Sequence, residues 1–239
     1  MAKVHPNVAV PESPAGAVVN EEQHQQPTVL TVWRKSLLFK CDGFTVFDAT
    51  GGLAFRVDRY GSSSYGGRRR RAAEDVVLMD ASGKPLLTVR RKIKLSLGLA
   101  EHWVLYEGDA GASGARPLLS VRRHHVGLHR RASNKTLAHI TPLAPSSSSG
   151  TEAASSYVVE GSYGRRSCAV RDARGGASAA EVRRKESVGD DVFRLVVSDD
   201  HRMGAALSMG VVIALDQMFG GASSRASSLL PRCWSAQEY

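Results

Sequence analysis

Short runs of alternating apolar and polar residues recur along most of the chain, and each has the length of a β-strand. In Leu53–Asp58 the apolar residues take alternate positions, with Arg56 and Asp58 on the other face. Such alternation predicts a sheet with one buried face and one wet face. Similar segments predict about twelve strands, at residues 29–34, 44–47, 53–57, 76–79, 86–89, 103–106, 117–122, 136–141, 156–162, 167–171, 178–185 and 191–197.

The connections between these runs repeat as well. Asp48-Ala-Thr-Gly51, Asp80-Ala-Ser-Gly83 and Asp172-Ala-Arg-Gly175 share the form Asp-Ala-x-Gly, and each lies between two strand-like runs. An Asp side chain bonds the backbone two residues on, and Gly supplies a positive φ, so both favour tight hairpins. The three copies predict a meander built from successive hairpins.

A different pattern follows the last strand, because Met203–Phe219 is apolar on all sides. This predicts a helix buried within the sheet. A membrane span is the alternative, but the charge-free part ends at Leu215, short of the roughly 20 residues that a bilayer requires. The small residues of its first half suit a narrow space. We expect the core side chains of the helix to be Met203, Leu207, Val211, Leu215 and Phe219.

Polar residues before the helix and glycines after it predict where it begins and ends. Ser198, Asp199 and Asp200 offer N-cap oxygens and negative charge for the positive end of the helix dipole. Gly220 and Gly221 predict the stop.

Composition divides the rest of the chain. Residues 1–27 predict a disordered N-terminal arm, and residues 222–239 a flexible tail. Between them, residues 28–221 form the expected barrel domain, with Gly- and Ser-rich segments at 61–71 and 144–156 that predict mobile loops. The arm has no signal-peptide pattern, and the three cysteines are dispersed, so we expect an intracellular protein with reduced thiols.

The formal net charge of +9 and the pI near 9.8 favour an acidic partner: nucleic acid, an anionic membrane or phosphorylated head groups. The basic residues are clustered, and a solvated, solubilising face is the alternative explanation for any one cluster. The candidate residues for an anionic head group are Arg68, Arg69, Arg70, Arg71, Arg90, Arg91, Lys92, Lys94, Arg122, Arg123, Arg130 and Arg131.

Signals for catalysis or metal binding are weak. Ser82-Gly83-Lys84 lacks the other residues of a phosphate-binding loop, and no nucleophile-elbow motif is present. His124, His125 and His129 suggest a metal site, yet adjacent strand residues point to opposite faces. We therefore expect no enzyme activity, no cofactor and no bound metal.

Several motifs in order resemble the LURP-one-related family of plants. They are Trp33–Phe39, Asp42–Asp48, Phe55–Asp58, Leu78–Leu87, Gly161–Cys168, Asp191–Val197 and Val211–Met218. The resemblance spans residues 29–219 and implies membership of the Tubby C-terminal-like superfamily. It implies a mainly β fold, in which a closed antiparallel barrel of twelve strands surrounds a central hydrophobic helix.

The resemblance also implies a function, although it transfers no individual ligand residue. Related barrels bind phosphoinositides, so we expect a monomer that binds anionic membrane lipids or protein partners in plant stress or defence responses. The expected location is the cytoplasm or nucleus, or the periphery of the plasma membrane, without a transmembrane span. A nucleic-acid-binding or transcription-linked role is the alternative that the basic charge leaves open.

Overall fold

The computed structural model describes residues 26–37, 42–59, 75–92, 101–111, 115–124, 135–143, 156–174, 176, 178–185, 189, 191–199 and 203–220. Apart from residues 26, 27 and 156, the segments predicted as arm, loops and tail lie outside these ranges. The strands are β1 (Thr28–Trp33), β2 (Asp42–Phe47), β3 (Leu53–Arg59), β4 (Val76–Asp80), β5 (Pro85–Arg91), β6 (His102–Glu107), β7 (Pro117–Arg123), β8 (Thr136–Pro142), β9 (Tyr157–Ser162), β10 (Ser167–Asp172), β11 (Ser178–Arg184) and β12 (Val192–Val197); α1 is Ala205–Phe219.

The strands form a closed antiparallel barrel in which neighbours in sequence are neighbours in space. β1 pairs with both β2 and β12, from Thr28 opposite Val197 to Trp33 opposite Val192 on the β12 side. This confirms the predicted mainly β fold, its twelve strands and its closure. The hairpins at Asp48 and Asp80 are also as predicted, since each Asp Oδ1 accepts backbone N–H groups within its own turn.

Helix α1 fills the barrel and packs against β4, β5, β6, β7 and β12. Of the five predicted core residues, Met203, Val211 and Leu215 are buried, whereas Leu207 and Phe219 are half-buried. Complete burial of each large apolar side chain contributes roughly 1.5–3 kcal/mol. The prediction of a central buried helix is confirmed.

The predicted N-terminal cap of α1 is wrong, whereas Gly220 ends the helix as predicted. The residue that caps α1 is Gly204, and it provides no side-chain hydrogen bond. The polar residues before it serve the wall of the barrel instead, because Ser198 Oγ donates to the carbonyl of Ser178 and Asp199 Oδ1 accepts from Thr28 Oγ1. Asp200 lies outside the described residues, as does Gly221.

The outer face of β3 is also less exposed to solvent than its alternation of apolar and polar residues predicts. Asp58 points outward but is only 4% exposed, since the chain after β1 crosses over it. Ser36 Oγ donates to Asp58 Oδ1 over 2.5 Å, and Arg56 Nε lies 3.3 Å from Asp58 Oδ2. A buried carboxylate needs such partners. Arg56 lies two positions away on β3 itself, whereas Ser36 comes from a segment that the local pattern does not reveal.

Candidate anion-binding rim

The topology places alternate hairpins at opposite ends of the barrel. At one end lie the last residues of β1, β3, β5, β7, β9 and β11, together with the last turn of α1. We call this end the basic rim. The other end, the acidic rim, carries Asp48, Asp80, Asp109, Asp172 and Asp199 in its turns.

The described basic side chains at the basic rim come from the ends of β1, β5, β7 and β11, from the start of β8 and from the hairpin between β9 and β10. They are Arg34, Lys35, Arg90, Arg91, Lys92, Arg122, Arg123, Lys135, Arg165, Arg166, Arg184 and Lys185. Described carboxylates at the same rim are fewer, namely Asp58, Asp75, Glu101, Glu160, Asp191 and Asp216. The barrel is therefore electrostatically polarised along its axis.

This topology brings together some of the residues that the sequence predicts to bind an anion. The ends of β5 and β7 flank β6, so Arg90, Arg91 and Lys92 lie near Arg122 and Arg123. The other candidates, Arg68, Arg69, Arg70, Arg71, Lys94, Arg130 and Arg131, lie outside the described residues. The strand ends that flank each of those segments belong to the basic rim.

Three of the predicted cations are held by carboxylates. Arg90 forms a bidentate salt bridge with Asp75, in which Nε donates to Oδ1 over 2.7 Å and Nη2 donates to Oδ2 over 2.6 Å. This hydrogen bonding raises the pKa of Arg90. Glu101 accepts from Arg91 over 3.3 Å and from Arg123 over 3.0 Å. Arg123 also lies over the ring of Phe219, 4.8 Å from its centroid.

The remaining predicted cations have weaker attachments. Lys92 Nζ lies 5.8 Å from the ring centroid of Tyr106, and Lys92 and Arg122 are exposed. Within the described ranges, neither is paired with a carboxylate. Lys135, which the site prediction omitted, is exposed just before β8 at the same rim. These three side chains are exposed cations that can meet an external anion.

A polar cluster ties α1 to the wall at the basic rim. Asp216 Oδ1 accepts from Arg34 Nε over 3.1 Å and from Tyr163 Oη over 3.3 Å. Burial raises the pKa of Tyr163, and the negative charge of Asp216 adds to this effect. The guanidinium of Arg166 lies between the rings of Tyr163 and Phe193, at 4.5 and 4.4 Å. Part of the positive charge at this end therefore stabilises the fold.

Comparison with known proteins identifies this barrel. A family model described as LURP-one-related matches residues 28–216, which covers every strand and most of α1. The chain belongs to the LURP-one-related family. Protein LURP-one-related 8 of Arabidopsis thaliana is 38% identical over 226 residues, which are 92% of this chain and 98% of the relative.

Other relatives from the same plant agree. Protein LURP-one-related 5 is 38% identical over 86% of this chain and 90% of its own length. Protein LURP-one-related 17 is 34% identical over 80% of this chain and 83% of its own length. No solved structure gives a significant match. In the described part of this LURP-one-related chain, no helix is both long and apolar enough to cross a bilayer.

Two exposed apolar side chains accompany the cations of this LURP-one-related rim. Trp33 ends β1 and is 38% exposed, and Leu37 in the following segment is 51% exposed. Lys35 Nζ lies 5.2 Å from the ring centroid of Trp33. The site prediction missed this group, because it considered basic residues alone.

The described histidines and cysteine form no centre of three or more ligands. His124 meets His139 of β8, a partner that the sequence did not indicate, while His125 and His129 lie outside the described residues. Among described residues, no cluster of three or more histidine, cysteine, aspartate or glutamate side chains could hold a metal ion. Burial raises the pKa of Cys168 to about 12, which leaves its thiol unreactive.

Proposed function

We propose that this LURP-one-related chain is a non-enzymatic binding protein whose basic rim meets anionic phospholipid head groups, phosphoinositides among them. The proposal depends on one observation, the gathering of basic side chains at one end of the barrel and of aspartate turns at the other. A molecule polarised in this way is oriented by a negatively charged surface before it makes contact. Lys92, Arg122 and Lys135 are the described side chains that we expect to meet phosphate groups.

The apolar residues at the same rim favour a membrane surface over nucleic acid. Trp side chains collect at the level of lipid head groups, and the exposed Trp33 and Leu37 stand among basic residues. A long cation such as Lys35 can keep its charge in the head-group layer while its stem covers apolar surface. Val29 and Leu143 are also exposed, but they lie at the acidic rim.

The interior supports a role in binding rather than in catalysis. The inward side chains of the described strands are mostly apolar, and they pack against α1 where a lumen would otherwise be. The outer surface is therefore the part of the described barrel that is open to partners. We place this binding inside the plant cell, in the cytoplasm or nucleus or at the periphery of the plasma membrane. The family resemblance suggests stress or defence responses as its context.

Sedimentation with vesicles tests the proposal. The variant Arg122→Glu/Lys135→Glu reverses two exposed cations of the basic rim, and Lys84→Glu/Arg116→Glu makes the same change in charge at the acidic rim. Each basic residue near an anionic membrane contributes roughly 1 kcal/mol. We therefore expect the first variant to lose about 30-fold or more in affinity for vesicles that contain phosphatidylinositol bisphosphate, and the second to lose much less.

The outcomes are distinct. Equal recovery of the unaltered protein with neutral phosphatidylcholine vesicles and with anionic vesicles would contradict the proposal, and so would equal losses in the two variants. A third variant, in which Arg68–Arg71 are replaced by glutamates, tests the longest run of basic residues in the sequence, which lies outside the described residues. Binding of a DNA duplex with sequence preference, together with indifference to vesicles, would instead support a nucleic-acid role.

A further inference from the structure

Two histidines meet on the outer wall where β7 ends beside β8. His124 Nδ1 and His139 Nε2 are 2.9 Å apart, their ring centroids are 5.1 Å apart, and the ring planes are inclined by 60°. The backbone N–H of His124 donates to the carbonyl of Leu137 over 2.8 Å. This backbone hydrogen bond fixes His124 against β8, so the two imidazoles are held together by the sheet.

The pairing of the strands sets the neighbours of the histidine pair. Across the strands His139 is opposite Arg122 of β7 and Val158 of β9. Neutral imidazole is the form that binds metal ions.

The distance between the two nitrogens is short enough for both to bind one ion. Two metal–nitrogen bonds of about 2.05 Å separate their nitrogens by about 2.9 Å at a right angle and by about 3.3 Å at the tetrahedral angle. The 2.9 Å contact of this pair is an N–H···N hydrogen bond, and a metal ion bound by both nitrogens takes the place of the shared proton. Among the divalent first-row ions, Cu²⁺ binds nitrogen ligands most tightly, so the pair favours Cu²⁺.

We propose that His124 Nδ1 and His139 Nε2 chelate a Cu²⁺ ion on the outer wall of the barrel. His139 is exposed, so its ring has room to turn until both lone pairs point at one ion, and water completes the coordination. No third protein ligand from the described residues is required, in agreement with the absence there of a larger ligand cluster. This inference is independent of lipid binding.

Nuclear magnetic resonance can locate the ion. Because Cu²⁺ is paramagnetic, a tenth of an equivalent should broaden the amide signals of Leu137, Ala138 and Ile140 before those elsewhere in the barrel. Calorimetric titration should give a copper affinity that falls at least tenfold in His139→Asn. The matched control His102→Asn removes a histidine of β6 that lies at hydrogen-bonding distance from Ser120, and it should leave the affinity unchanged.

Circular dichroism tests whether both variants are folded. Copper binding should also weaken as the pH falls below about 6, because protons then compete for the imidazoles. Broadening that begins elsewhere in the chain, or an unchanged affinity and imidazole count in His139→Asn by electron paramagnetic resonance, would overturn the proposal. So would the absence of copper binding in the unaltered protein.

Discussion

At the scale of single residues, Asp216 is the carboxylate on which the end of α1 depends. It is 8% exposed, and its Oδ1 serves both Arg34 and Tyr163. Tyr163 is only 1% exposed, so water cannot replace the carboxylate as its partner. Arg34 is 26% exposed and therefore loses less when the contact is removed.

We predict that Asp216→Ala lowers the free energy of unfolding by about 1–3 kcal/mol, mainly because the Tyr163 hydroxyl loses its acceptor. Asp216→Asn keeps an acceptor oxygen and should cost less. Asp199→Ala, which removes an exposed carboxylate at the acidic rim, should change stability by about 0.5 kcal/mol at most. Urea unfolding curves measure all three, and equal midpoints for Asp216→Ala and Asp199→Ala would contradict this account.

The aspartates of the hairpin turns lead to a second prediction, on how the stability of the protein depends on pH. Asp80 Oδ1 accepts from Ser82 Oγ over 2.6 Å and from the N–H of Lys84 over 2.9 Å. These bonds lower the pKa of Asp80, the Ser82 hydroxyl having the larger effect. A carboxyl whose folded pKa is depressed stabilises the protein above its unfolded pKa, and this stabilisation is lost as the pH falls.

Asp80→Asn should therefore flatten the decline in stability between about pH 5 and pH 3. Asp48 has an equivalent turn and a lowered pKa, in which the Thr50 side chain has the largest effect, so Asp48→Asn should do the same. Unfolding by urea at a series of pH values measures the slope. Parallel curves for the variants and the unaltered protein would show that these turns do not contribute to acid sensitivity.

These residues show what a sequence can reveal locally. The Asp-Ala-x-Gly turns could be predicted because donor and acceptor lie within a few positions of each other. The contacts of Asp216 with Arg34 and of Asp58 with Ser36 could not, because each joins segments that only the closed barrel brings together. The same limit hid the meeting of His124 and His139.

At the scale of elements, α1 was predictable because no other run in the chain is apolar on every face. Its start was not, since the oxygens of Ser198 and Asp199 had alternative partners on neighbouring strands. Its close fit to the wall is visible only in three dimensions. A Cβ placed at Gly210 would lie 2.7 Å from Leu105 Cδ2 and 3.2 Å from Leu87 Cδ1.

Gly210→Val should therefore destabilise the protein by about 1–3 kcal/mol, the usual cost of overpacking a dense core. The matched control is Gly164→Val in the exposed hairpin after β9, where an added Cβ meets no heavy atom within 4 Å. That variant should unfold close to the unaltered protein. Thermal unfolding compares the two, and a Gly210→Val protein as stable as the control would mean that the lumen is wider than described.

At the scale of the whole molecule, closure removes free sheet edges but leaves a short seam. β1 pairs with β12 along its full length, from Thr28 to Trp33, but with β2 only from Thr31 to Trp33. The first half of β1 thus has one strand partner in place of two. Opening of the ring should start where the fewest backbone hydrogen bonds need to break.

We predict that hydrogen exchange is fastest, among the strands, in the first half of β1, which lacks a partner in β2. Strands β5 to β7 should exchange most slowly, because they pair on both sides and pack against α1. Mass spectrometry of exchanged peptides resolves these segments. Uniform protection around the ring would contradict the presence of a weak seam.

The distribution of charge over the surface is also a property of the whole molecule. The positions of the basic clusters in the sequence are scattered, and the net charge alone could not assign them to one surface. Strict alternation of hairpins gathers the described members of these clusters at one rim, but the structure also shows that Arg90, Arg91 and Arg123 have carboxylate partners. Sequence reasoning identified the charged residues, whereas only the pairing distinguishes structural cations from those such as Lys92 and Arg122 that face outward.

The position of α1 after the last strand has a consequence for biosynthesis. The ribosome synthesises all twelve strands before α1, so the apolar inner face of the nascent sheet is exposed to solvent until α1 emerges. During that interval the growing polypeptide depends on chaperones or on slow collapse. A premature stop codon just upstream of Ala205 would leave the apolar inner face of the sheet uncovered, and translation products of that length should accumulate as aggregates.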